Sequence, residues 1–179
     1  MTFQKKVRFD QAFGVVGELS HDGPLRAKPG VLQSANPTDN AYGRVFTLDA
    51  ATGMVQAGGA GVFWGILSNP KTGMFTGRIG DSGTQSWLPN GVVGEFVDMG
   101  EIIVPVDGPA SIGDALYYST ADGVITVTAP PAPPEEDGAT QEGENKATEA
   151  TTVAIPNAVI SRVRQMGAEG GLVSLRLTN

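Results

Sequence analysis

Few side chains in this sequence are of the types that do chemistry, and their spacing works against most of it. Ser20-His21-Asp22 sets a hydroxyl, an imidazole and a carboxylate in a row. A Ser–His–Asp constellation, however, is assembled in space from distant segments, and three consecutive residues cannot turn their side chains onto one another. His21, the single histidine, stands beside the Gly23-Pro24 turn signal and reads as an exposed or capping residue. With no Cys in the chain, thiol catalysis and cysteine-liganded metal sites are excluded. Gly58-Gly59-Ala60-Gly61 precedes an apolar, β-like run instead of opening a helix, and no Gly-Lys-Ser/Thr follows, so it reads as a tight connection and not a phosphate cradle.

The remaining candidates are weaker still. Asp137 to Glu144 lacks the alternating Asp/Asn ligands and terminal bidentate glutamate of a calcium loop. Glu95, Asp98, Glu101, Asp107 and Asp114 are scattered among strands and turns, with no spacing that marks a glycosidase pair. The aromatics Trp64, Trp87, Tyr42, Tyr117 and Tyr118 could line a carbohydrate groove. Trp64 lies in an apolar strand and is more simply core. Trp87, flanked by polar and turn residues, is the best candidate for an exposed contact. No catalytic residue, metal set or cofactor motif emerges, and the chain does not read as an enzyme.

Composition narrows the class. The 179 residues suit one domain, or one domain with an arm or insertion. Gly (25) and Pro (12) together make about a fifth of the chain, against a background of roughly 12%, which disfavours long helices. Twelve basic against nineteen acidic residues give a net charge of -7, which argues against nucleic acid as the main partner. The first six residues are followed by no apolar run, so they do not form a signal peptide. The most apolar stretch, Ala60 to Leu67, is far short of the roughly 20 residues that span a bilayer. The expectation is an all-β protein, a small β-barrel or sandwich with an extended N-terminal arm, long irregular loops and almost no helix, soluble where it is made and with no membrane partner.

The arm is residues 1–13. Phe3, Val7, Phe9 and Phe13 fall at odd positions while Thr2, Gln4, Lys6, Arg8 and Asp10 fall at even ones, the alternation of an extended segment with an aromatic face. Such a segment is either a first core strand or an arm across a neighbouring subunit. Residues 14–43 carry successive turn signals (Asp22-Gly23-Pro24, Pro29-Gly30, Asn36-Pro37, Asp39-Asn40) and read as a long irregular stretch. Strands are then expected at Arg44 to Leu48, Ala60 to Leu67, Gly91 to Met99, and Glu101 to Val106 after a joint at Gly100. Ala115 to Ser119 and Val124 to Thr128 make a hairpin through Ala121-Asp122-Gly123. Ala158 to Val163 and Leu172 to Leu177 make another across Gly167 to Gly171. Residues 14–179 thus form a single β-rich domain, interrupted at 129–150 by four prolines and six acidic residues against one lysine. That segment cannot bury enough surface to offset its ordering entropy and reads as an exposed loop.

A resemblance covers nearly the whole chain apart from that loop. Phe3-Gln4, Phe9, Gln11-Ala12-Phe13-Gly14-Val15-Val16-Gly17-Glu18-Leu19 and Asp22-Gly23-Pro24-Leu25-Arg26-Ala27 resemble the start of tailed-phage structural cement proteins. Ser34-Ala35-Asn36-Pro37, Tyr42-Gly43-Arg44-Val45-Phe46-Thr47 and Ser111-Ile112-Gly113-Asp114-Ala115-Leu116-Tyr117-Tyr118 are similar to the same family. The resemblance implies a capsid decoration protein in the virion, bound to the outside of the expanded head and clamping neighbouring major capsid subunits, with no cofactor. It implies a homo-oligomer, trimer ahead of dimer. On this reading Phe3, Phe9 and Phe13 are apolar anchors, and Lys5, Lys6 and Arg8 meet acidic groups on the shell. The alternative is a carbohydrate- or host-surface-binding virion module, which requires Trp87 and a tyrosine to be exposed together.

Overall fold

A computed structural model gives the fold and describes residues 14–20, 23–69, 87–127, 151–167 and 169–178, without the side chains of 164–166. The arm 1–13, His21, Asp22 and the acidic loop 129–150 lie outside the described residues. The chain is nearly all β, and the only helical element among the described residues is a short 3-10 turn at Pro37–Asp39.

The architecture is organised around one strand. The sequence predicts two strands joined at Gly100. The structure instead has a single 15-residue strand, β5 (Val93–Asp107). Gly100 sits in its middle at φ 132°, a conformation open to glycine and strained for other residues. There the strand passes from one sheet to the next. Its C-terminal half pairs antiparallel with β9 (Gly170–Leu177), with Ile102 opposite Leu175 and Val104 opposite Val173. From β9 the ladder runs through β8 (Thr152–Gly167), β6 (Ala115–Ser119) and β7 (Ile125–Thr126). β7 then returns to β5 through the parallel pair Asp107 and Thr126, which closes a five-stranded barrel.

The barrel interior follows the period-two rule, by which alternate side chains of a strand face one side. Ile102, Val104 and Val106 from β5 meet Val173, Leu175 and Leu177 from β9, Ile160 and Ala158 from β8, and Leu116 from β6. In the last strand Val173, Leu175 and Leu177 alternate in sequence with Leu172, Ser174 and Arg176, and the first set is the one in the barrel core.

The N-terminal half of β5 belongs to a second sheet, flanked by β1 (Arg26–Val31) on one side and β4 (Val62–Leu67) on the other. β4 pairs with β2 (Val45–Leu48), and β2 with β3 (Val55–Ala57). A bridge from Leu32 to Val55 curls β1 around toward β3. Phe46 and Phe96, rings 5.0 Å apart, fill this second core with Leu32, Val55 and Leu67. On the same strands Val45, Ile66 and Val97 turn the other way and join the barrel's core. This double burial accounts for the continuous apolar run read in β4. It holds for Gly65–Leu67, whereas Val62 is 63% exposed.

Three expectations are corrected. The stretch 14–43 is not wholly irregular, because Arg26–Val31 forms β1. Pro29-Gly30 looks like a turn in sequence, but Pro29 pairs with Glu95 in the ladder. A Cβ at Gly30 would lie 2.6 Å from Val55 Cγ2 and 3.0 Å from Phe96 Cε2, so that glycine serves close packing. β3 was not anticipated, being only three residues long. β8 begins at Thr152 and not Ala158. Its register shifts on the way from Ala154 to Val159, the partners of Tyr117 and Ala115, and Asn157 between them sits at φ 53°, which breaks the pattern a reader looks for.

Replacing Gly100 by alanine forces a side chain into a positive-φ position and brings its Cβ to 3.0 Å from Leu25 Cδ1. The expected cost is about 1–3 kcal/mol, read as a lower urea midpoint with an unchanged slope. Wild-type stability in this variant would show that β5 does not depend on the glycine bend.

Candidate functional site

The residues singled out as contacts, Phe3, Lys5, Lys6, Arg8, Phe9 and Phe13, all lie outside the described residues. What the structure does describe is the segment that follows residues 1–13. Residues 15–18 make a tight turn in which the Glu18 N–H donates to the Val15 carbonyl at 3.0 Å. The Glu18 carboxylate accepts the Val15 N–H at 2.8 Å. The following residues are laced onto β5. The Gly17 N–H donates to the Ile103 carbonyl, the Ile103 N–H to the Glu18 carbonyl, each at 2.8 Å, and the Ser20 N–H to the Glu101 carbonyl at 2.9 Å. From the other side the Asn69 N–H donates to the Gly17 carbonyl at 2.8 Å.

Two glycines allow this approach. At Gly17 a Cβ would lie 2.9 Å from the Asn69 nitrogen and 3.0 Å from Tyr42 Cβ. Gly14, at φ 129°, has no room for a Cβ against Ile103 Cδ1. Sequence reasoning missed Gly14, Gly17 and Ile103 as positioning residues. The signal was there in Gly14-Val15-Val16-Gly17, where two glycines bracket two valines.

Next to this segment lies a charged cluster. Asp98 receives Arg26 Nε on one oxygen at 2.7 Å and Lys28 Nζ on the other at 2.8 Å. Lys28 Nζ also stands 4.5 Å above the Trp64 ring, and the Trp64 indole N–H donates to the Pro29 carbonyl at 3.3 Å. Burial by itself would push the Asp98 carboxyl up, but the hydrogen bonds and charges of Arg26 and Lys28 outweigh it and hold the group below the usual carboxylate range. A carboxylate held low is the opposite of the raised acid that glycoside cleavage needs. Nearby, Glu101 is buried and accepts the Ser20 hydroxyl at 2.9 Å, with Arg176 Nη2 at 4.0 Å.

Two grooves open along this edge. One, of about 380 Å³, runs between Pro29, Tyr42, Leu88, Val93 and Glu95. The other, of about 270 Å³, lies over Gly100 between Pro24, Met99, Glu101 and Arg176. Each contains one carboxylate. Among the described residues no group of three His, Cys, Asp or Glu could hold a metal ion, and no helix is long and apolar enough to cross a membrane.

Trp87 is half-buried, less exposed than its flanking residues suggest, and its backbone is bridged to Ala41. Tyr42 and Tyr117 are half-buried. Tyr118 is buried, its hydroxyl donating to the Gly59 carbonyl at 3.2 Å. The exposed tryptophan–tyrosine platform of a carbohydrate site is therefore not formed by the described aromatics.

The Asp98 cluster has a pH signature. A carboxyl whose folded pKa is depressed contributes stability above its unfolded value of about 3.9, and loses it as pH falls through the lower folded value. Urea unfolding of wild type and Asp98→Asn should therefore differ most near pH 6 and converge toward pH 3. A gap that persists unchanged at pH 3 would remove the ion pairs as its cause.

Comparison with known proteins gives this geometry its context. The family model described as structural cement protein (E217 gp24/Pam3 gp6) matches residues 3–178. The fold is similar to a chain from a solved structure titled "The capsid of Myoviridae Phage XM1", with a TM-score of 0.58 and 19% identity over 100% of this chain and 99% of that one. No curated protein matches the sequence. A match over residues 3–178, which takes in the glycine-bracketed turn and the whole barrel, establishes that the chain belongs to the phage structural cement protein family, whose role is structural and capsid-stabilising.

Proposed function

We propose that this protein binds the outer surface of the expanded phage head and clamps neighbouring major capsid subunits, stabilising the shell against internal pressure. The observation that carries this reading is the family match over residues 3–178, which includes the aromatic and basic arm as well as the body. The mechanism is mechanical. A protein that binds only the assembled lattice stabilises that lattice by mass action. A homo-oligomer, trimer ahead of dimer, holds several sites at once and gains avidity without new contacts.

In this reading residues 1–13 are the principal contact. Phe3, Phe9 and Phe13 bury against apolar pockets of the shell, and Lys5, Lys6 and Arg8 pair with its acidic groups, in keeping with the weight that aromatic and arginine residues carry at interfaces. Thirteen extended residues reach roughly 40 Å, enough to cross onto an adjoining subunit. The segment after the arm supports the reading, because backbone hydrogen bonds from Gly17, Glu18 and Ser20 to β5 pass a pull on the arm into the barrel wall. The acidic segment 129–150 faces solvent in this arrangement, since burying it against the shell would carry a desolvation cost. The protein is made soluble in the host cytoplasm and ends on the virion.

Deletion of residues 1–13 is expected to leave a folded, soluble protein that no longer sediments with expanded heads. A deletion that unfolds the protein would make the segment a core strand and remove the arm mechanism. In purified virions the molar ratio to the major capsid protein should be a simple fraction. A handful of copies per particle would overturn decoration of the shell.

A further inference from the structure

Of the ten large exposed apolar residues among those described, five lie along one ribbon. Residues 14–20 and 23–31 run antiparallel along one edge of β5, first where Leu19 bridges Ile102, and then as β1 opposite Val93 to Met99. Along it Val15 is 55% exposed, Leu19 37%, Leu25 46% and Val31 36%, and Val93, paired directly with Val31, is 61% exposed. Scattered exposed aliphatics are normal on a protein surface, whereas these five follow one strand edge, with the ion-paired Arg26 and Lys28 standing between Leu25 and Val31. Both grooves open on this ribbon, one at Pro24 and the other at Pro29. In the wider groove the Glu95 side chain is exposed and has no hydrogen-bond or ion-pair partner among the described residues.

We infer that this ribbon is a second docking surface, and that its occupant is an extended, apolar segment of the major capsid protein with a basic residue placed opposite Glu95. The inference rests on the capsid-binding reading and deepens it. Two observations select the occupant. The ribbon is covalently continuous with the arm, since residue 13 leads directly into Gly14, so a partner held by the arm is brought against the ribbon. The groove is mostly apolar, and the one cation in its lining, Lys28, is already engaged by Asp98, so Glu95 is left without a cation among the described residues and the complementary chain is apolar with one positive charge. Arm and ribbon together give each subunit two attachment points, which a clamp requires and a single arm does not supply.

The test uses the full-length protein and expanded heads prepared without it, with binding followed by co-sedimentation. Leu25→Asp/Val93→Asp places charges at two exposed positions, so the melting temperature should stay near that of wild type while head affinity falls by about tenfold or more. Glu95→Lys should weaken binding too, and by less as salt is raised. If wild type binds and these variants bind equally well, the ribbon inference is wrong while the capsid reading stands. If the variants instead alter the oligomeric state by light scattering, the ribbon's occupant is a second copy and the assignment to the shell is overturned. If wild type does not bind heads at all, the capsid reading fails and this inference falls with it.

Discussion

Everything in this molecule depends on one strand serving two sheets. β5 gives its first half to a curled sheet with β1 and β4 and its second half to a closed barrel with β9. A strand shared in this way must be buried on both faces where the layers meet, and Phe96 and Val97 show it: neighbours in sequence, they are 0% and 1% exposed and belong to different cores. It must also turn without breaking its ladder, and Gly100 at φ 132° is what allows that. The two cores are therefore coupled, and a change at the junction is felt by both.

The same strand organises the outward-facing parts. Barrel closure leaves no open edge on that sheet, which removes the usual hazard of edge-to-edge pairing. The edge of β5 that would otherwise be open is covered by residues 17–20 and by β1. Residues 1–13 lead in sequence directly into that covering segment. Family membership gives the molecule a structural role.

Much of the fold was legible in the sequence because strands announce themselves by alternation. The inward faces of β5 and β9 read directly from Ile102-Val104-Val106 and Val173-Leu175-Leu177, and the Asp122-Gly123 turn located the β6–β7 hairpin. β1 was not legible, because Pro29 and Gly30 have two meanings. Locally they signal a turn. In the folded protein Gly30 is small because Val55, Phe96 and Trp64 crowd against it, a fact set by residues distant in the chain. β8 hid its first six residues behind the register shift next to Asn157 for a related reason. Of the candidate site, the alternation of residues 3–13 is visible in the sequence, whereas the pairing of Gly17 with Ile103 is not, since nothing local announces it.

Taken alone, the sequence determined the class of this protein: glycine and proline content disfavoured long helices, period-two alternation specified strands, and the absence of cysteine excluded thiol chemistry. Its resemblance to the cement family is likewise a property of the residues in order. Tertiary structure alone decided that the halves of β5 are one strand, that the barrel closes through Asp107 and Thr126, and that exposed aliphatics from Val15 to Val93 lie along one ribbon. The physical reason is that alternation is a local property of the backbone, whereas strand order, closure and surface contiguity depend on pairings between residues far apart in the chain.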